Sequence, residues 1–227
     1  MRYVVSDIHG NFDLLVKYLK KVNFNSNDIL YVLGDVLDKG KDVVKLIDLL
    51  FHKLKNNCIV IAGNHEYDFS KYVKMMISDN LDDEIILKKV QDYLQIEQPI
   101  SFEDIETILN LPFYLEEDEF IMVHSGVSFD ANRCVKALNE TPKEELVYNR
   151  TFKEPDLLID VGKCVFFGHT PTSYVCGEPK ILIYKKDKTN GESLKDYYKI
   201  HLDTGNYLSG VLGGFCIDTL KVDYVCQ

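Results

Sequence analysis

The 227-residue sequence lacks the patterns that mark several large classes of protein. None of its six cysteines lies in a CxxC pair, so neither a zinc knuckle nor a disulfide framework is indicated. No apolar run approaches the length of a transmembrane helix, and the start, Arg2-Tyr3-Val4-Val5, lacks the basic and apolar regions of a signal peptide. The sequence therefore predicts a soluble, cytoplasmic protein with no membrane partner and with cysteines that act as small buried hydrophobic residues.

Basic residues are also scarce relative to acidic ones. The chain has 26 lysines and arginines against 36 acidic residues, a formal net charge of −10. This charge, together with the lack of a basic stripe, opposes binding to nucleic acid and argues against a nuclease. Some of the acidic side chains are candidates for holding cations instead.

The first third of the chain alternates between two periodicities. Short apolar runs predict strands, and stripes of apolar residues every three or four positions between them predict amphipathic helices. A strand–helix–strand–helix–strand order predicts a parallel sheet with right-handed crossovers. The predicted strands are 3–6, 29–33 and 58–62, and the predicted helices are 12–22 and 43–54.

The remainder of the chain divides into a segment with a helical pattern and a segment with a strand pattern. Residues 67–111 are charge-rich and helix-forming, and we interpret them as a helical insertion within a single domain that spans residues 1–227. Beyond residue 113 the signals are mostly strands, which predict a second sheet packed against the first, and the turn Asn190-Gly191 could close a hairpin. The predicted later strands are 114–115, 120–123, 163–167, 181–184, 198–202 and 220–225.

A polar loop follows each strand of the predicted parallel sheet. The loops are Ser6–Asn11, Gly34–Gly40 and Gly63–Glu66. The carboxyl ends of parallel strands lie at one edge of a sheet, and open α/β sheets bind their ligands there. The sequence therefore places a candidate functional site at this edge.

Residues of these loops have the chemistry of metal ligands. Asp7 and His9 are two apart at a strand end, so both side chains can point to the same face, and the two oxygens of Asp35 could bridge two cations. Taken alone, each such residue is more often a capping, turn or core residue than a ligand. Six oxygen and nitrogen donors in strand-end loops nevertheless favour Mn²⁺, Fe or Zn²⁺ over copper or an iron–sulfur cluster. They are Asp7, His9, Asp35, Asn64, His124 and His169.

Five ordered motifs carry a family resemblance: SDIHGN, GDVLDKG, GNHE, HSG and GHTP. Together they resemble the signature of the calcineurin-like metallophosphoesterases, and within them the phosphoprotein phosphatase branch. The resemblance spans residues 6–171 and implies an α/β fold, a sandwich of two mixed β-sheets flanked by helices. It also implies an enzyme with a dinuclear centre of divalent metals, with Mn²⁺ favoured and Fe or Zn²⁺ as alternatives.

The resemblance also implies individual roles. Asp7, His9 and Asp35 would hold the first metal, and Asp35 would bridge to a second that Asn64, His124 and His169 complete. Metal-activated water would attack phosphorus while His65, oriented by Asp38, protonates the leaving group. Arg150 and Lys39 would bind the substrate phosphate.

The sequence departs from the family pattern at several positions, of which residue 39 bears on the substrate and residue 148 weakens the match around Arg150. Lys39 replaces the usual arginine and offers a point charge instead of a planar fork, and Tyr148 stands where the branch often has tryptophan. The motif style favours a protein serine/threonine phosphatase acting on a phosphorylated protein. Symmetrical dinucleoside-tetraphosphate hydrolases share the same motifs and are the enzymatic alternative, with a small phosphoester as substrate. A catalytically weak scaffold that binds phosphoproteins is a third reading.

Overall fold

The computed structural model describes residues 1–130, 134–187 and 189–227. Over these residues the chain forms two five-stranded sheets. The strands are β1 (Arg2–Val5), β2 (Ile29–Val32), β3 (Cys58–Val60), β4 (Tyr114–Glu116), β5 (Phe120–Val123), β6 (Cys164–Phe167), β7 (Leu182–Lys185), β8 (Tyr197–His201), β9 (Val211–Cys216) and β10 (Lys221–Cys226).

Helices cover the outer faces of the sheets. They are α1 (Phe12–Lys21), α2 (Val43–Ile47), α3 (Asn64–Ser78), α4 (Asp83–Leu94), α5 (Phe102–Leu109), α6 (Lys143–Tyr148), α7 (Ser173–Cys176) and α8 (Asn206–Ser209). A π-helical segment, Asp48–Lys53, continues α2, and two 3₁₀ turns occur at Leu138–Glu140 and Leu194–Asp196.

The first sheet has the strand order β10-β9-β1-β2-β3. Strands β1, β2 and β3 pair in parallel, as the alternating periodicity predicts, while β9 and β10 extend the sheet in the antiparallel sense. The second sheet has the order β4-β5-β6-β8-β7, with a parallel centre, β5-β6-β8, and antiparallel edges. The fold is therefore α/β, with two mixed sheets flanked by helices, which confirms the predicted fold class.

The main core lies between the two sheets. Because side chains alternate along a strand, β5 and β6 each place two residues inward, among them Phe120, Met122 and Phe166. These pack against Val4 and Tyr31 of the first sheet, and all five are buried. This contact fixes the two sheets face to face, so that the ends of their strands meet at one edge.

The segment 67–111 contains most of α3 together with α4 and α5. Their apolar faces form a separate cluster that includes Phe69, Val73, Val90 and Ile105, and this cluster also takes in residues around α2. The helices therefore pack on one another and on the residues around α2, in a cluster distinct from those on the two faces of the first sheet.

Two secondary-structure predictions differ from the structure. The predicted helix 43–54 is α-helical only as far as Ile47 and continues as the π-helical segment, in which the Leu54 amide donates to the Leu49 carbonyl (2.8 Å). Strand β9 was missed, because Gly213 and Gly214 interrupt the apolar pattern. The structure gives a reason for Gly214: a side chain there would collide with the buried ring of Tyr18 on α1.

The cysteine prediction is correct for some positions and wrong for others. All six cysteines are free thiols, and Cys164 and Cys216 are buried, but Cys134, Cys176 and Cys226 are exposed.

No helix in the described ranges has the length and apolarity to cross a membrane. The Asn190-Gly191 turn lies in the connection between the antiparallel strands β7 and β8.

The close approach of Gly214 to Tyr18 gives a stability prediction. Gly214→Ala should lower the free energy of unfolding by about 1–3 kcal/mol, because the added methyl group overpacks the contact between β9 and α1. Urea unfolding followed by circular dichroism measures this loss. The double variant Tyr18→Leu/Gly214→Ala should show a smaller loss than the sum of the two single variants. Additive losses would contradict the steric explanation.

Candidate active site

The loops after β1 and β2 are joined by hydrogen bonds beyond the ends of the strands. The Leu33 amide donates to the Val5 carbonyl (3.0 Å), the Asp7 amide to Gly34 (3.2 Å) and the His9 amide to Asp35 (2.8 Å). The parallel ladder therefore continues into the polar loops and places Asp7, His9 and Asp35 side by side.

The second sheet contributes two histidines to the same edge. His124 follows β5 and His169 lies two residues beyond β6, and the Gly168 amide donates to the His124 carbonyl (2.7 Å). The His169 amide also donates to both oxygens of Asp7, at 3.2 and 3.0 Å. This contact ties the two sheets together at the predicted site.

The carboxylate of Asp35 lies between two groups of donor atoms. Oδ2 is 3.5 Å from His9 Nε2, and Oδ1 is 3.4 Å from His124 Nε2. Within each of two groups, the potential ligand atoms lie within 4.8 Å of one another. One group contains His9, Asp35 and His65, and the other contains Asp35, His124 and His169.

Asn64, at the start of α3, joins the second group. Its Oδ1 is 3.1 Å from His124 Nε2 and 2.8 Å from His169 Nδ1. The structure thus brings together all six residues that the sequence proposes as ligands. Their role as metal ligands remains a proposal.

The protonation pattern of these groups fits divalent cations. His9 Nδ1 faces the Leu37 carbonyl (3.2 Å) and His124 Nδ1 faces the Leu33 carbonyl (2.7 Å). A carbonyl oxygen only accepts, so both Nδ1 atoms carry the proton and both Nε2 atoms present lone pairs. The lone pair of His9 accepts from Lys39 Nζ (2.8 Å), whereas that of His124 faces Asp35 Oδ1 (3.4 Å), where acceptor faces acceptor. His169 Nε2 is buried without a hydrogen-bond partner. Cations would resolve each of these unfavourable contacts.

Burial also sets the charge states of the candidate ligands. Desolvation lowers the pKa of His9 to about 2, with a further contribution from the charge of Lys39, and desolvation likewise lowers the pKa of His169 to about 2. Neutral imidazole is the form that binds metals. Desolvation and the neighbouring carboxylates of Asp7 and Glu66 raise the pKa of Asp35 well above its usual value. Positive charge at this position would therefore be strongly stabilised.

His65 has different surroundings. Its Nδ1 is 2.6 Å from Asp38 Oδ2, and its amide donates to Asp35 Oδ1 (3.1 Å). Burial opposes protonation, but the hydrogen bond to Asp38 and the charge of Asp35 outweigh it, so the pKa of His65 is raised. His65 is therefore the histidine of the site that is suited to carry a proton.

The two candidate phosphate-binding residues lie on different sides of the site. Lys39 places Nζ 2.8 Å from His9 Nε2, next to the first donor group. Arg150 is exposed just after α6, and its charge contributes to the lowered pKa of His169 in the second group. The charges of both side chains therefore act on the candidate site, and that of Lys39 also contributes to the lowered pKa of His169.

Comparison with known proteins identifies the family. The sequence profile of the calcineurin-like phosphoesterases matches residues 2–210. This chain belongs to that family. It is thus an enzyme of a metallophosphoesterase family, in agreement with the resemblance carried by the five motifs, and the family is one of dinuclear metal centres.

Curated relatives of this phosphoesterase are symmetrical bis(5'-nucleosyl)-tetraphosphatases. The protein from Wigglesworthia glossinidia brevipalpis is 30% identical over 130 residues, which cover 55% of this chain and 44% of the relative. The protein from Vibrio campbellii is 29% identical over 169 residues, covering 68% of this chain and 59% of the relative. The alignments therefore span about half the length of these relatives.

Solved structures share the fold of the phosphoesterase. A candidate diadenosine tetraphosphatase superimposes with a TM-score of 0.67 at 19% identity, covering 100% of this chain and 93% of the other. A protein serine/threonine phosphatase from Saccharomyces cerevisiae has a TM-score of 0.57 at 14% identity, covering 100% and 79%. At these identities the likeness concerns the fold.

Glu66 organises the site, and the sequence analysis assigned it no role. Its buried carboxylate accepts hydrogen bonds from the amides of Asp35 (2.8 Å), Val36 (2.9 Å), Leu37 (2.9 Å) and Gly63 (2.8 Å). One side chain thereby holds the loop after β2 against the start of α3. Glu66 is the last residue of the GNHE motif, which is the sequence signal that could have indicated a role for it. Its hydrogen-bond partners are backbone amides, however, and these have no sequence signature.

The loops held in this way contain backbone conformations that residues other than glycine rarely adopt. Six of the candidate site residues have φ in the left-handed region, between 49° and 71°. Each such residue costs about 1–3 kcal/mol and persists only where the surroundings enforce it. They are Asp7, His9, Asp35, Asp38, Lys39 and His169.

The contacts of Glu66 predict a large effect of a small change. Glu66→Gln should lower the free energy of unfolding by about 2–6 kcal/mol, because the new amide group leaves two of the four backbone donors without an acceptor, at roughly 1–3 kcal/mol each. Thermal and urea unfolding measure the loss. Glu106→Gln, at an exposed glutamate on α5, is the matched control and should change stability little. Equal stability of the two variants would refute the organising role of Glu66.

Proposed function

We propose that this phosphoesterase hydrolyses small dinucleoside polyphosphates symmetrically, in a reaction that depends on two divalent cations. The observation that carries the hydrolytic part is geometric. His65, whose pKa is raised, belongs to one of two donor groups that share the carboxylate of Asp35. The substrate class rests on the curated relatives, which are symmetrical bis(5'-nucleosyl)-tetraphosphatases.

Six residues would hold the cations. Asp7, His9 and Asp35 would bind the first ion, and Asp35, with the second donor group, would bind the other. When bound, the ions supply positive charge that activates water and neutralises the phosphoryl oxygens. We propose Mn²⁺ as the metal, with Fe or Zn²⁺ as alternatives, since the donors are imidazole nitrogens and carboxylate or amide oxygens without a thiolate. The donors of the second ion are Asp35, Asn64, His124 and His169.

The remaining polar side chains would act on the substrate. As the phosphorus–oxygen bond breaks, His65 would give its proton to the departing oxygen, and Asp38 holds the imidazole in the orientation and charge state for this donation. Lys39 and Arg150, one beside each donor group, would bind phosphate oxygens. The acceptor-rich centre would otherwise repel a polyphosphate chain, so these two charges also favour its approach.

The comparisons shift the preferred substrate away from the one that the motifs suggested. The motif style favoured a protein serine/threonine phosphatase, whereas the curated relatives support the dinucleoside alternative. The structural likeness to the yeast phosphatase bears on the fold and not on the substrate. The third reading, a weak phosphoprotein-binding scaffold, does not account for the oriented pair of His65 and Asp38, since binding alone requires no proton donor.

A substrate panel tests the proposal. With Mn²⁺, Fe²⁺ or Zn²⁺ supplied in turn, the protein should convert diadenosine tetraphosphate to two molecules of ADP with a kcat/KM at least tenfold above that for serine and threonine phosphopeptides. Chromatography of the nucleotides and phosphate release measure the two reactions. Preference for phosphopeptides would favour the protein phosphatase instead. Asp35→Ala should abolish every metal-dependent hydrolysis; full activity in this variant would overturn the dinuclear site.

The pair of His65 and Asp38 predicts a change in pH dependence. A proton donor works only below its pKa, so activity should fall as the pH rises through the pKa of His65. Asp38→Asn removes the contact that raises this pKa and should move the alkaline limb of kcat to lower pH. The profile is measured with glycerol phosphate, whose alkoxide leaving group needs a proton. Asp13→Asn, at an exposed position on α1, is the control; an unmoved limb in Asp38→Asn would remove His65 as the donor.

A further inference from the structure

Two partly exposed tyrosines adjoin the candidate active site, one beside each donor group. Tyr207, on α8, is 54% exposed, and its ring centroid is 6.5 Å from that of His9. Tyr148, at the end of α6, is 38% exposed, and its ring centroid is 6.3 Å from that of His169. An isolated exposed tyrosine needs no explanation, but two rings at the rim of one polar centre do.

Each ring is accompanied by one of the two positive charges of the site. Lys39 Nζ lies 5.5 Å from the ring centroid of Tyr207. Tyr148 and Arg150 line the same groove, of about 450 Å³, together with Asn149. The site therefore has two similar units, each made of an aromatic ring and a cation next to a donor group.

Neighbouring aromatic side chains pack against the ring of Tyr148. It meets the ring of Tyr67 edge to face, with centroids 6.2 Å apart. Tyr67 is in turn in edge contact with Phe113 (5.9 Å). A ring fixed in this way loses little conformational entropy when a planar ligand stacks on it.

A nucleotide has two parts that suit such a unit. Its phosphates are bound by cations, and its base stacks on aromatic side chains whatever its sequence, because every base has a π-face. A symmetrical dinucleoside polyphosphate carries two nucleotides joined through phosphate, so two units on opposite donor groups match its two ends. A phosphorylated protein side chain has one phosphate and no second planar group to occupy the other ring.

We propose that Tyr207 and Tyr148 are stacking surfaces for the two nucleobases of a dinucleoside polyphosphate, and that they determine the specificity of the site. This inference rests on the proposed function. Lys39 and Arg150 bind the phosphates nearest to each nucleoside, and the rings bind the bases beyond them. The tyrosines act in binding and take no part in the bond cleavage.

The experiment compares diadenosine tetraphosphate, which has two bases, with methyl phosphate, a phosphoester that has none. For each variant, the ratio of kcat/KM for diadenosine tetraphosphate to kcat/KM for methyl phosphate is measured at one metal concentration. Tyr207→Ala and Tyr148→Ala should each lower this ratio by about 5- to 150-fold, the range expected for loss of one stacked base. Tyr207→Phe and Tyr148→Phe keep the ring and should retain most of the wild-type ratio.

A neighbouring residue provides the matched control. Leu208 follows Tyr207 on α8 and is 59% exposed, so Leu208→Ala removes an apolar side chain from the same helix without removing a ring. Its ratio should equal that of the wild type. If the two alanine variants have the same ratio as the two phenylalanine variants and the wild type, base stacking at these tyrosines is refuted. The proposed function still stands in that case.

Two further outcomes overturn the inference in different ways. If the wild-type protein cleaves methyl phosphate but not diadenosine tetraphosphate, the proposed function fails and the inference fails with it. If Tyr207→Ala and Tyr148→Ala instead lower kcat/KM for a phosphopeptide relative to methyl phosphate, the rings form a peptide-docking surface. Failure of the proposed function is seen in the wild-type protein alone, whereas peptide docking at the rings is seen in the variants. The two outcomes are therefore distinguishable.

Discussion

The candidate site depends on the position of one carboxylate, that of Asp35. Its two oxygens face His9 Nε2 and His124 Nε2 at 3.5 and 3.4 Å, and one of them also accepts a hydrogen bond from the amide of His65. The two imidazoles come from different sheets, so their convergence requires the sheet-on-sheet packing of the whole fold. A buried carboxylate among lone pairs is unfavourable unless positive charge compensates it, and this requirement is what makes the edge a place for cations.

The protein holds this unfavourable arrangement through backbone contacts. Glu66 binds four amides of the loops around Asp35, and Asn206 donates through its side-chain amide to the carbonyl of Asp7. Two of the residues held by these contacts, Asp7 and Asp35, have a φ of 52°, in the left-handed region. The loops are therefore fixed by the fold before any ligand arrives, and the side chains need little rearrangement to bind one.

Sequence reasoning succeeded where topology determines position. Apolar runs located β1, β2 and β3, and the rule that parallel strands end at one edge then placed Asp7, Asp35 and Asn64 together. It failed where the reason lies in tertiary packing. Strand β9 contains Gly214 because the ring of Tyr18 occupies the space of a side chain, and Glu66 acts on backbone amides that no motif records.

The position of Tyr207 beside the candidate site could not be predicted from the sequence for a related reason. Tyr207 is close to His9 only because α8 lies against the loop after β1, almost two hundred residues away along the chain. The motifs contain the proposed metal ligands and the proposed proton donor, and phosphatases and dinucleoside-tetraphosphate hydrolases share them. Substrate choice lies in the surrounding surface, where sequence patterns carry little information.

The metal content of the purified protein tests the central claim most directly. After saturation with Mn²⁺ and removal of free metal by gel filtration, elemental analysis combined with native mass spectrometry counts the ions bound per chain. The shared position of Asp35 predicts two ions per chain. A protein that retains one ion at most, while remaining folded, would contradict the account.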